Sequence, residues 1–195
     1  MEALSDGVFS IAATLLVLEI ALRPPGTALE QLVHTWPAYL AYTISFMTIG
    51  AAWLGHSSIT DRLVRADPLL LRINLLLLFV VAFLPFPTKL IAEALGDRND
   101  ERVFVTMYGL TLLTMRLLLT AVDTHARHAR LYSDAEADEE LQTDRETILG
   151  VGIAYGVAIL VGLVFPTAAV LLYLALGVLL VVPFQHLRRM LFSPD

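Results

Sequence analysis

The stretch "LSDGVFSIAATLLVLEI", residues 4–20, decides how the chain is read. Asp6 stands at its start and Glu19 near its end. Between them only Ser10 and Thr14 interrupt an apolar run. Extended to Leu22, the block approaches the ~20 residues that a helix rising ~1.5 Å per residue needs to cross a bilayer. Similar blocks lie at about 34–54, 69–95, 103–122, 148–165 and 167–184. The chain is 57% hydrophobic and 16% charged, against roughly half and a quarter in soluble domains. It reads as an all-α integral membrane protein, a single domain with six transmembrane helices and no internal repeat. The first block lacks a basic n-region and an Ala-x-Ala site, so it is read as a retained span and not as a signal peptide.

Several function classes fall away on composition. The chain has no cysteine, which removes disulfides and thiolate chemistry. A net charge of −6 argues against nucleic acid as a partner. No Gly-x-Ser-x-Gly, P-loop or His-Glu-x-x-His is present, so neither an enzyme nor a cofactor is expected. His125 and His128 have i,i+3 spacing, but two ligands at a helix end are a weak metal signal, and a solvated basic terminus is the simpler reading. The stretch 124–147 holds seven acidic residues and reads as a flexible loop. Six spans put both termini on one side, with Arg62, Arg65, Arg127, Arg130, Arg145, Arg188 and Arg189. Arg23, Arg98 and Arg102 fall on the other side. The excess predicts cytoplasmic termini in the cell membrane.

Polar groups at lipid depth are costly and face the bundle interior. Helix one carries Ser5, Asp6, Ser10, Thr14 and Glu19. Helix two ends in "WLGH", Trp53 to His56. Helix three carries Arg72, Asn74 and Lys89, and helix four Arg116. Arg72 and Lys89 lie near helix ends, where long side chains snorkel. Arg116 is deeper and needs a partner, Asp6 or Asp123. Gly152 and Gly156 form a small-xxx-small pair that suggests close helix packing.

A helix turns ~100° per residue. With Ile11 at zero, Gly7, Ile11, Leu15, Leu18 and Leu22 fall within about 40° of one line, Thr14 on the flank. Asp6 lies at about −140° and Ser5 at about +120°. The stripe is either a pore wall or an ordinary lipid-facing or packed face. Asp6 points away from it, with His56, Trp53 and Asn74 as candidate partners. A network of Ser5, Asp6, Trp53, His56 and Asn74 would fasten helix one to helices two and three. An acid/base pair of Asp6 and His56 is the less common explanation.

These residues also carry a resemblance. "LSDGVFSIAATLLVLEI" resembles the start of the transmembrane protein 175 family, potassium channels of lysosomes and prokaryotes, which opens with Arg-x-x-x-Phe-Ser-Asp-Gly. "WLGH" is similar to the family's Trp and His on helix two. "NLLLLFVVAFLPFPTKL", beginning at Asn74, is similar to its Asn-to-Pro-Phe-Pro-Thr stretch on helix three. Leu4 stands at the motif's Phe, and its Arg falls one position before Met1. The resemblance implies a homotetrameric, potassium-permeable channel lined by the first helix of each subunit. It implies constrictions at Ile11, Leu15 and Leu18 and a selectivity layer at Ser10 and Thr14. Potassium and lipid are then the expected partners. Such an apolar neck gates by dewetting and, with few fixed ligands, prefers K⁺ over Na⁺ only modestly. Thr14 has a competing role, a bond to the Ser10 carbonyl within its own helix. The alternative function is a proton-linked transporter using Asp6, His56 and Arg116; a non-transporting scaffold is a third.

Overall fold

Helix signals in the sequence set where each element starts and stops. In the computed structural model, residues 1–20, 26–96, 101–133 and 143–181 are described, without the side chains of 96 and 143–149. Helix α1 spans Glu2–Leu15 and tightens into a 3₁₀ turn, Leu16–Glu19. A short helix α2, Ala28–His34, follows. It starts on a capping box in which the Thr27 hydroxyl accepts from the Glu30 amide and the Glu30 carboxylate accepts from the Thr27 amide. Then come α3, Trp36–Asp61, α4, Pro68–Phe83, and α5, Pro85–Gly96. Last are α6, Glu101–His128, α7, Thr143–Gly162, and α8, Pro166–Val181.

The described residues are all-helical apart from an isolated bridge. Among the described residues, three stretches are long and apolar enough to cross a membrane: Trp36–Asp61, Pro68–Leu95 and Glu101–His128. Gly150–Gly162 and Pro166–Val181 are apolar but shorter. Several boundaries depart from the sequence expectation. α2 falls between the first two apolar blocks, where the Thr27 capping box starts a short helix. α3 continues through the polar "HSSITD", where the Thr60 hydroxyl bonds the His56 carbonyl. The third block divides at Leu84, since Pro85 has no amide to donate to the turn before it.

The acidic stretch is not wholly a loop. α6 runs to His128, with His125, Arg127 and His128 in its last turn, where cations suit the helix dipole. α7 is already helical from Thr143. Residues 134–142 lie outside the described residues, as do Arg23, Arg98, Arg188 and Arg189 of the charge count.

α3 and α6 form the centre. α3 packs on α1, α5, α6 and α8, and α6 on α4, α5, α7 and α8. Tyr108, Tyr155 and Tyr173 are fully buried between α6, α7 and α8. Lipid is as apolar as leucine, so packing and interhelical hydrogen bonds hold such a bundle more than water exclusion does. Gly109 packs most tightly among the described glycines: an added Cβ would collide with the Tyr173 hydroxyl and Ile159. Gly152 and Gly156 meet nothing within 4 Å, so their spacing does not mark close packing within this chain.

Candidate functional site: the exposed face of the first helix

One side of α1 is fixed by packing. Ser5, Phe9, Ala12 and Leu16 are buried, covering an arc from about +100° to +160° on the wheel. Opposite that arc, Ile11 is 60% exposed, Leu15 42% and Leu18 72%. Gly7, Ser10 and Thr14 are exposed with them. The chain therefore leaves uncovered the stripe that the sequence picked out. The 3₁₀ turn aligns it further, because at three residues per turn Leu18 stands directly over Leu15. Ile11 to Leu18 extends about 12 Å, combining ~1.5 Å per α-helical and ~2.0 Å per 3₁₀ residue.

The Thr14 hydroxyl lies 3.1 Å from the Ser10 carbonyl and 2.9 Å from that of Ile11. Its proton is therefore committed to the backbone. A hydroxyl keeps two acceptor lone pairs when it donates, so the oxygen stays available to a cation on the open side.

The fastening residues divide into two sets. His56 donates from Nε2 to the Asn74 Oδ1 at 2.8 Å, and the Asn74 amide donates to the Ser5 Oγ at 3.1 Å. Ser5 donates on to the Met1 carbonyl at 3.2 Å. All three side chains are buried, and the set joins α1, α3 and α4. The Phe9 ring packs on His56 with centroids 5.5 Å apart. Separately, the Trp53 indole donates to the Asp6 Oδ1 at 2.9 Å.

Asp6 is exposed and does not join His56 and Asn74. It sits about 90° from the centre of the buried arc, on the edge of α1. There it lines an open groove of about 500 Å³ with Ser10, Phe46 and Trp53. Asp6 and Asp123, the ion partners expected for Arg116, each have other contacts. Among the described residues, Asp6 engages Trp53, while Asp123 engages Arg127, Arg62 and the Tyr132 hydroxyl. Arg116 lines a partly open cavity of about 300 Å³ with Thr48 and Tyr155. His125 directs Nε2 to Asp67 at 2.8 Å.

Two polar nodes were missed from sequence. Ser45 bonds the Thr88 hydroxyl at 2.7 Å and the Tyr108 hydroxyl at 2.8 Å, tying α3, α5 and α6. Near the N-terminal end, the Val64 amide bonds the Leu131 carbonyl at 3.0 Å, beside Arg62, Asp123, Arg127 and Tyr132. Burial and the neighbouring Asp123 carboxylate push the Tyr132 phenol up. Single hydroxyls within apolar helices give no sequence signal for such convergence; the Pro-Thr within the third block was the nearest hint.

The family described as "Endosomal/lysosomal potassium channel TMEM175" matches residues 1–85. The protein named Potassium channel B446_29190, from Streptomyces collinus, is 35% identical over 86% of this chain and 82% of its own length. The chain belongs to the TMEM175 family. Members of this family are membrane ion channels, not enzymes. The crystal structure titled as a lysosomal potassium-selective channel TMEM175 homolog from Chamaesiphon minutus superposes with a TM-score of 0.80 at 32% identity. It covers 92% of this chain and 93% of that one. The Gallus gallus relative is named an endosomal/lysosomal proton channel; it is 38% identical over 52% of this chain but only 22% of its own length. The family match stops at Pro85, so it contains α1, the Asp6–Trp53 pair and the Ser5–Asn74–His56 set.

Proposed function

We propose that four copies of this chain form a potassium-permeable channel in the cell membrane, with both termini cytoplasmic. Four α1 helices surround the pore. Ile11, Leu15 and Leu18 form an apolar neck, and Ser10 and Thr14 present hydroxyl oxygens to a partly dehydrated ion. The carrying observation is the uncovered α1 stripe, opposite a face locked to α3 and α4, in a chain whose relatives are named potassium channels. Such a neck conducts when its helices spread or rotate enough to admit water. Selectivity for K⁺ over Na⁺ is modest, because hydroxyl layers lack a rigid ring of carbonyls.

Bi-ionic reversal potentials on the reconstituted channel test this. Thr14→Ala is expected to reduce K⁺/Na⁺ discrimination, and Ile11→Asn to raise resting leak by wetting the neck. Unchanged permeation in both variants, with an intact tetramer, overturns the pore assignment. The proton-linked reading required Asp6, His56 and Arg116 to act together. In the described geometry Asp6 bonds Trp53, His56 bonds Asn74, and Arg116 lines a different cavity. Flux saturable in substrate and dependent on a pH gradient would restore that reading.

A further inference from the structure

Away from α1, a groove of about 600 Å³ runs along α6, walled by Val80 and Phe83 of α4 and by Leu163 beyond α7. Its floor is α6 from Arg102 to Thr114, about 18 Å at ~1.5 Å per residue. That length matches one leaflet, ~15 Å of hydrocarbon, plus the interface. Arg102 is the ionisable residue of the described lining, exposed at the end opposite the N-terminus of the chain. No residue of α1 lines it.

We propose that this groove binds one anionic glycerophospholipid per chain, its phosphate on Arg102 and an acyl chain along Leu110 to Thr114. A cation at the rim of an apolar groove between spans selects an anionic headgroup. The site rests on the membrane reading and not on the pore assignment. It therefore stands or falls separately from the conduction experiments.

Native mass spectrometry of the protein extracted from phosphatidylglycerol/phosphatidylcholine nanodiscs tests it. The wild type should retain one phosphatidylglycerol per chain. Arg102→Gln should lower that retention about fivefold, the factor equivalent to the ~1 kcal/mol expected of one basic residue at an anionic surface. Arg102→Lys should keep most of it. Leu110→Trp, which fills the groove at an exposed position, should lower it with Arg102 intact. Equal retention of phosphatidylcholine, or retention unchanged in both Arg102→Gln and Leu110→Trp, overturns the proposal. So does a cysteine cross-link from Leu110→Cys to a second copy, which would show the groove to be a subunit contact.

Discussion

At the scale of single residues, the bundle depends on a few polar atoms placed where lipid offers no substitute. Asn74 holds both neighbours of its set, so Asn74→Ala strands a buried imidazole N–H and removes the donor to the Ser5 hydroxyl, which keeps its bond to the Met1 carbonyl. A cost of about 1–2 kcal/mol is expected, read as a lower thermal midpoint of the purified assembly, while Asn74→Gln recovers part of it. Gly109→Ala drives a methyl into the Tyr173 hydroxyl. About 1–3 kcal/mol of overpacking is expected there, against none at Gly156, where the space is open. Both glycines occur in the same apolar surroundings, and only tertiary contact separates them. That is why the sequence pointed to the wrong pair, whereas Trp53, His56 and Asn74, costly residues in a membrane, stood out at once.

Among elements, α1 was the most readable, because its buried arc and its stripe differ in chemistry as well as in angle. Its 3₁₀ ending was not readable, since "LVLE" carries no breaker. The joint between α4 and α6 was also hidden. Asp67 caps α4 through the Leu70 amide at 2.7 Å and receives His125 from α6. The Leu70 amide first, and then His125, hold the Asp67 carboxyl below its ordinary value of 3.8. A carboxyl depressed by folding stabilises the fold above its unfolded pKa and ceases to as pH falls through the folded value. Amide protection at Val64 and Leu70 is therefore expected to weaken at acid pH below 3.8. Asp67→Asn should flatten that dependence by removing the titrating group. Identical acid profiles for the two proteins would show that another group governs the joint.

For the whole molecule, a single chain leaves an apolar stripe exposed along α1, which the proposed tetramer would gather around its axis. Composition and block length made the membrane class legible. The number of described helices reaching span length, three, does not by itself supply the rest of the architecture. The chain lacks cysteine, so one introduced thiol reports without background. In a tetramer arranged around α1, four thiols at position 18 converge on the axis, and soft thiolates bind Cd²⁺ tightly. Potassium current through reconstituted Leu18→Cys channels, recorded before and after Cd²⁺, is the decisive measurement. Block that chelator reverses, absent in the wild type and in Phe79→Cys on the exposed face of α4, is the predicted result. Potassium current that persists unchanged with Cd²⁺ on Leu18→Cys would contradict a pore lined by α1.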